Sequence, residues 1–374
     1  MSLRVGYLCR VITGLSYNNV NNVRNLFIYS KYSYSIRAFS TTKYNGCDST
    51  EKQQRLQTVV SGFPKSKKTL GIDKILKGQV GEDAYFVARY DKSISKLKVE
   101  STNVNSSIQK FWWYRFPMSF NSTVLNVLIS DPDANISADV TGIADGVGGW
   151  RQFGVDPSKF SRQLMQNCEK LVTSGNFLPN QPPTQLLSDA YLEMKESEKL
   201  AYGSSTACLA MFDHVSAKLF VTNMGDSGLF VVRNGELAFC TQEQTHCFNT
   251  PFQLSLPPPG HMENGTLVDD PEDADVYAFN TQEGDIIILA TDGVFDNVPL
   301  PTLVKQASRV AGYSKDLDII QESCNLIATT ARKLSLDEFA LSPFARNAIL
   351  HGYRDMRGGK EDDITVVMSV VTKC

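Results

Sequence analysis

Four segments place acidic residues, usually beside glycine, where a β-rich apolar run meets a turn: Gly81-Glu82-Asp83-Ala84, Ala144-Asp145-Gly146-Val147-Gly148-Gly149, Met224-Gly225-Asp226-Ser227-Gly228 and Ala290-Thr291-Asp292-Gly293. A fifth, Lys360-Glu361-Asp362-Asp363, opens the last apolar run instead of closing one. A single Asp-Gly pair reads as a turn. Repeated at the ends of rigid strands, the pattern can converge carboxylates on one point, while glycine lets the backbone turn sharply or approach a ligand. Converged carboxylates raise one another's pKa and cannot all stay ionised without a cation. A hard divalent ion resolves that conflict: carboxylate, carbonyl and water oxygens suit Mg²⁺ or Mn²⁺, whereas Zn²⁺ favours His or Cys. The four histidines, His214, His246, His261 and His351, have no HxH or HExxH spacing and read as surface or satisfied core residues.

Strands and helices must hold those acids in place. Strand signals run over Tyr85–Ala88, Thr206–Phe212, Lys218–Asn223, Leu229–Arg233, Glu236–Phe239, Val276–Phe279, Asp285–Ala290 and Ile364–Val371. Asn234-Gly235 is a strong hairpin signal, and a second hairpin is expected around Glu283-Gly284. Ile286 to Ala290 is apolar without alternation, which predicts a strand buried on both faces. Helices are expected after Asp156-Pro157, after Pro183, and over 302–334, where Ile320, Cys324, Ile327 and Ala331 share a stripe. Hairpins alternating with helix pairs predict antiparallel sheets covered by helices, an α+β class, in one domain over residues 71–374. Residues 40–70 are expected to be a linker. Residues 91–137, polar around Phe111-Trp112-Trp113-Tyr114, read as an inserted loop.

The chain has 374 residues, 42% hydrophobic and 21% charged, which fits a globular protein. Its formal charge of −3 argues against a general nucleic-acid binder. No uncharged apolar run approaches the ~20 residues of a membrane-spanning helix. Eight cysteines without a CxxC pair read as reduced, packed thiols. Before Asp48 there is no Asp or Glu, only Arg4, Arg10, Arg24, Lys31, Arg37 and Lys43 among hydroxyl and short apolar residues. That composition predicts a mitochondrial transit peptide over residues 1–39, cut near Ser40 after Arg37-Ala38-Phe39. The import machinery would then be its partner and the matrix its destination. Its removal takes five positive charges and no negative one, moving the net charge from −3 to −8.

Five blocks in order resemble the signatures of the metal-dependent type 2C (PPM) protein phosphatases: Ala144 to Trp150, Gly203-Ser204-Ser205-Thr206-Ala207, Gly225 to Gly228, Ala290-Thr291-Asp292-Gly293-Val294-Phe295-Asp296 and Asp362 to Val367. Glu82-Asp83-Ala84 is similar to the family's early acidic motif. Gly149-Trp150-Arg151, Phe248 to Leu254 and Ser342-Pro343-Phe344-Ala345 resemble the mitochondrial branch called T-cell activation protein phosphatase 2C. The resemblance implies an αββα sandwich, two antiparallel sheets flanked by helices, and two Mn²⁺ or Mg²⁺ ions per domain. Asp145 would bridge both ions, with the Gly146 carbonyl on one, and Asp292 and Asp362 on the other. Glu82 and Asp83 would hold metal-bound waters, and Asp226 with Asp292 and Asp296 would form a weaker third site.

The implied reaction is hydrolysis of phosphoserine or phosphothreonine by a metal-bridged hydroxide, with phosphorylated mitochondrial proteins as substrates. No covalent nucleophile is needed, so Cys208 and Ser227 read as packing and turn residues. Two positions depart from the family. Val147 stands where many relatives have His, which leaves the leaving-group proton to a metal-bound water or another group. Gly78 stands where many have a phosphate-gripping Arg, and Arg151 or Lys77 is expected to supply that charge. A partner-binding pseudophosphatase and a phosphatase of small metabolites are the alternatives, distinguished by turnover and by substrate.

Overall fold

A computed structural model describes residues 23–30, 33–40, 54–65, 79–91, 137–177, 179, 182–261 and 267–373. Lys77 and nearly all of the expected insertion at 91–137 lie outside the described residues. The strands are β1 (Val23–Ser30), β2 (Ser33–Ser40), β3 (Gln54–Phe63), β4 (Gln79–Val80), β5 (Asp83–Asp91), β6 (Ser137–Ala144), β7 (Gly203–Ser205), β8 (Ala207–Asp213) and β9 (Lys218–Met224). They continue with β10 (Gly228–Arg233), β11 (Glu236–Cys240), β12 (Thr245–Cys247), β13 (Thr250–Pro251), β14 (Leu254–Leu256), β15 (Asp275–Asn280), β16 (Ile286–Ala290) and β17 (Ile364–Lys373). The described helices are α1 (Ser158–Ser174), α2 (Pro183–Lys195), α3 (Asp292–Phe295), α4 (Leu300–Ala307), α5 (Leu317–Ser335) and α6 (Pro343–Leu350).

Two antiparallel sheets carry the architecture, one ordered β1-β2-β3-β17-β16-β10-β11 and the other β15-β9-β8-β6-β5-β4. Between them lies a core that includes Leu56, Val60, Ile143, Phe212, Val221 and Leu289. On the outer face of the first sheet, α5 lays Ile320, Cys324 and Ile327 over Val59, Ile288 and Met368. On the outer face of the second, α1 and α2 lay Phe160, Leu164 and Leu187 over Phe86, Val140 and Met211. The αββα sandwich and its α+β class follow. The run Ile286 to Ala290 shows why alternation was absent: Ile286 and Ile288 face the helices while Ile287 and Leu289 face the other sheet. Full burial of each such side chain contributes about 1.5–3 kcal/mol. Among the described residues no helix is long and apolar enough to cross a membrane.

Asn234 and Gly235 take φ of 52° and 85°, the left-handed pair a two-residue hairpin turn requires, and join β10 to β11 as expected. The hairpin expected around Gly284 does not form. β15 pairs with β9 in one sheet, whereas β16 pairs with β10 and β17 in the other. The turn at Gly284 therefore crosses between layers. The helix expected over 302–334 is two helices, parted by a bend at Gly312, whose φ is 83°.

Residues 40–70, expected to be a linker, contain β3, which pairs with all of β17 from Ile364↔Phe63 to Lys373↔Gln54. Its two faces explain the misreading. Leu56 and Val60 share a face with Thr58 and Gly62, and Val59 and Phe63 share the other with Gln57 and Ser61. Each face is thus apolar only at every second position, and the stretch reads as polar. Thr58 is satisfied by the Ser369 hydroxyl at 2.8 Å. The segment read as a leader contributes β1 and most of β2, a hairpin that meets β3 through Tyr34↔Gly62 to Ile36↔Val60. The hairpin lies outside β3, so its loss would leave the β3–β17 ladder intact.

Candidate active site

One end of the sandwich gathers the acidic segments. Glu82 and Asp83 stand where β4 turns into β5, Asp145 follows β6, and Asp226 follows β9. Asp292 opens α3 directly after β16, Asp296 caps that helix, and Asp362 and Asp363 precede β17. Glycine is required where these segments cross. Gly81 has φ of 64°, and a Cβ there would collide with the Asp363 carboxylate. A Cβ on Gly293 would collide with the Asp363 carbonyl.

Backbone and hydroxyl donors fix the carboxylates. The Glu82 N–H donates to Asp363 Oδ2 at 2.8 Å, and the Lys65 N–H donates to Asp363 Oδ1. Asp83 Oδ2 accepts from Thr365 Oγ1 at 2.7 Å and Thr291 Oγ1 at 3.0 Å. The Asp145 N–H donates to Thr206 Oγ1 at 3.1 Å, and the Thr206 N–H returns to the Asp145 carbonyl at 3.0 Å. Gly146 N–H donates to the Glu82 carbonyl at 3.2 Å, tying the segment after β6 to the early acidic motif.

Charge repulsion at this pole is severe. Burial and then the charges of Asp83, Asp292 and Asp362 push Asp145 well above the usual carboxylate range. Burial and Asp363 do the same to Asp83, and burial and Asp292 to Asp226. Burial raises Asp362 to about 6 and Asp296 to about 7, with Asp292 adding to both. Asp292 alone moves down: burial pushes it up, but the Lys360 ammonium together with hydrogen bonds from Lys360, Asp145 and the Gly293 backbone brings it below the usual value. These shifts place Asp83, Asp145, Asp226, Asp292, Asp296 and Asp362 in mutual electrostatic range.

Three cationic side chains border them. Lys360 Nζ donates to Asp292 Oδ2 at 2.5 Å and Asp296 Oδ2 at 2.7 Å. Lys65 Nζ lies 3.4 Å from Asp362 Oδ1. Arg151 Nε donates to Glu82 Oε1 at 2.7 Å while 60% of its side chain stays exposed. Arg151 sits in a short helical turn, Gly148–Phe153, pinned by Trp150 Nε1 on Ser204 Oγ at 2.6 Å. Along the rim, Phe248 packs against Phe344, His351 and Tyr353 with ring centroids 5.2–5.3 Å apart.

Sequence reading missed Lys65, the Lys360 contacts, Glu243, and the roles of Thr206, Thr291 and Thr365. Lys360 had a signal, a base directly before an acidic pair. Lys65 had none, because its position depends on β3. Exposed Glu243 lies within range of the Lys360 and Asp292 charges. The histidines are engaged elsewhere: His214 with Asp139, His246 with Asp269, His351 with the Asn347 carbonyl, and His261 against Phe153. Cys208 is buried in the intersheet core, and Ser227 meets Thr206 Oγ1 at 2.9 Å.

The donor set suits a hard divalent cation. Asp83 Oδ1, Asp226 Oδ1 and Asp292 Oδ1 are buried with no hydrogen-bond partner, which is costly unless a cation faces them. As the side chains stand, no three acidic, His or Cys side chains among the described residues are close enough to enclose an ion.

Comparison with known proteins agrees with the geometry. Residues 141–371 match the family described as Stage II sporulation protein E (SpoIIE). The chain is 46% identical over 237 residues to "Protein phosphatase PTC7 homolog" of Xenopus laevis, covering 63% of this chain and 78% of that protein. The Homo sapiens protein of the same name is also 46% identical over 237 residues, covering 63% and 76%. Among solved structures, the photosystem II phosphatase PBCP superposes with a TM-score of 0.58 at 26% identity, over 85% of this chain and 99% of that one. The chain belongs to the SpoIIE/PP2C-type (PPM) family and is a metal-dependent protein serine/threonine phosphatase related to the PTC7 homologues.

Proposed function

We propose that the acidic pole holds two Mn²⁺ or Mg²⁺ ions through Asp145, the Gly146 carbonyl, Asp292 and Asp362, and cleaves phosphoserine and phosphothreonine esters there. The observation that carries this reading is the set of buried, unpartnered oxygens on Asp83, Asp226 and Asp292 amid carboxylates that raise one another's pKa. When bound, the ions supply an activated water and neutralise phosphate oxygens. The chain's own residues do the rest. Thr206, Thr291 and Thr365 fix the orientation of Asp145 and Asp83 through the hydrogen bonds described above. Glu82 and Asp83 orient water at the edge of the cluster. Arg151, exposed at its tip and anchored by Glu82, reaches toward an incoming phosphate and clamps it. Half-buried Val147 carries no transferable proton, so the proton for the departing serine or threonine oxygen comes from a water or from another group at the pole.

Turnover of p-nitrophenyl phosphate and a phosphothreonine peptide with Mn²⁺, Mg²⁺ or EDTA tests this reading. Metal-dependent turnover that Asp145→Ala and Asp292→Ala abolish is expected. Turnover insensitive to EDTA would overturn it, and no turnover with either metal would favour a partner-binding pseudophosphatase. Faster turnover of metabolite phosphates than of phosphopeptides would move the substrate class.

The same reading extends to the compartment. An acid-free, arginine-bearing segment at 1–39 supports import into the mitochondrial matrix, where phosphoproteins would be the substrates. A reporter fused to residues 1–50 is expected to enter mitochondria; a cytosolic reporter would refute this.

A further inference from the structure

The acidic pole already contains one cation, and the chain has built a seat for it. Besides its bonds to Asp292 and Asp296, Lys360 Nζ lies 3.7 Å from Asp362 Oδ2, and only 18% of the side chain is exposed. Its backbone is clamped by one buried residue. Asn297 Oδ1 accepts from the Lys360 N–H at 2.9 Å, and Asn297 Nδ2 donates to the Lys360 carbonyl at 2.8 Å and to Gly293 at 2.9 Å. The clamp fixes Lys360 against α3, the helix that carries Asp292 and Asp296. From another side the Phe344 ring faces the ammonium at 5.3 Å, and the Phe344 N–H donates to the Asp296 carbonyl at 3.0 Å. A lysine held by an amide clamp, an aromatic ring and two carboxylates is a fixed charge, not a mobile surface side chain.

The oxygens divide accordingly. Asp292 Oδ2 and Asp296 Oδ2 are engaged by Lys360, whereas Asp292 Oδ1 and Asp226 Oδ1 are buried and unpartnered. A third divalent ion at the Asp292–Asp296 corner would need the two oxygens that the Lys360 ammonium already engages.

We infer that Lys360 is a resident cation that takes the Asp292–Asp296 corner, so the pocket loads two divalent ions instead of three and its carboxylates are held together before any ion arrives. The inference rests on Asp145, Asp292 and Asp362 being the ligands of those two ions.

The test uses the full chain and two readouts independent of turnover: Mn²⁺ stoichiometry by equilibrium dialysis, and melting temperature in EDTA. Wild type is expected to bind two Mn²⁺ and Lys360→Met three. In EDTA, Lys360→Met is expected to melt roughly 5–10 °C below wild type, with Mn²⁺ recovering most of the loss. Lys360→Arg keeps the charge and should match wild type in stoichiometry. The double variant Lys360→Met/Asp296→Asn removes one charge of each sign and should regain the wild-type melting temperature in EDTA, which keeps the test decisive if Lys360→Met alone folds poorly. Two ions in both wild type and Lys360→Met overturn the inference, as does a double variant that melts as low as Lys360→Met. Wild type and Lys360→Met both failing to bind Mn²⁺ would instead bring down the ligand assignments, a different result.

Discussion

Strand β6 carries an aspartate near each end, and the two are treated in opposite ways. Asp139, near its start, is buried and fully paired: Arg89 Nε lies 2.7 Å away, His214 Nε2 2.8 Å and the Leu56 N–H 2.9 Å. His214 is itself held by Ser137 Oγ at 2.9 Å. Burial pushes Asp139 up, but the His214 and Arg89 partners outweigh it and hold the carboxyl well below the usual range. Asp145, just past the other end, is surrounded mainly by carboxylates, and both burial and charge raise it. A structural acid is completed by the protein. The acid proposed as a metal ligand is left incomplete, so that something from outside can complete it.

The sharpest way to break that comparison is to remove the incomplete acids. Asp145→Ala and Asp292→Ala are each expected to lower kcat on a phosphothreonine peptide by about 10³-fold or more, since each removes a proposed ligand. Both should stay folded in EDTA by circular dichroism, and Asp145→Ala should melt no lower than wild type because a repelling charge is gone. Variants retaining more than a tenth of wild-type turnover would mean that the acidic pole is not where chemistry happens.

The complementary change lies at the other end of the strand. Asp139→Asn leaves Arg89 facing a neutral side chain in a buried site, and breaking such a pair costs about 3–5 kcal/mol. Urea denaturation should register that loss, while kcat of the folded fraction stays at the wild-type value. An unchanged unfolding midpoint would show that the Arg89–Asp139–His214 cluster is incidental and would remove one side of the comparison.

Legibility in the sequence followed the same divide. The acids of the functional pole could be read because each sits beside glycine at the edge of an apolar run, and glycine is needed where Gly81 and Gly293 pass against Asp363. The strands that carry them were readable for a related reason: Ile286 to Ala290 is buried on both faces and has no polar residue to confuse the pattern. The cations were not readable. Lys65 reaches Asp362 only because β3 pairs with β17 almost 300 residues later, and β3 itself was hidden by the polar residues that share its faces. Asp139 gave no signal, because its partners come from β5, the turn after β8 and the backbone of β3. The expected hairpin at Gly284 failed on a question local sequence does not pose, namely which of two sheets each strand joins.

A smaller effect sharpens the role of the rim. Among the described residues Arg151 is hydrogen-bonded to the acidic pole through Glu82 and is mostly exposed, so its removal should spare the fold. Arg151→Ala is expected to raise KM for a phosphopeptide about tenfold with kcat changed less than threefold, the mark of a residue that binds substrate in the ground state. An unchanged KM would leave phosphate binding to the metal ions and to the lysines.

The gentlest probe sets both poles against each other in one titration. Asp362 and Asp296 have folded pKa values of about 6 and about 7, above the ~3.9 of an unfolded aspartate. Their contribution to stability is therefore complete below about pH 4 and is lost as pH rises through 6 to 7. Asp139 has the opposite sign. Its folded pKa is depressed, so its contribution is complete above about pH 4 and is lost on further acidification. In EDTA the chain should thus gain stability on going from pH 8 to pH 5, then lose it below pH 4, as measured by urea denaturation. Saturating Mn²⁺ should reverse the upper limb, because protons then compete with the ion for the same oxygens. A metal-free protein that is no more stable at pH 5 than at pH 8 would mean that Lys360, Lys65 and Arg151 already balance the acidic pole, and that the two ends of β6 differ less in charge than their surroundings imply.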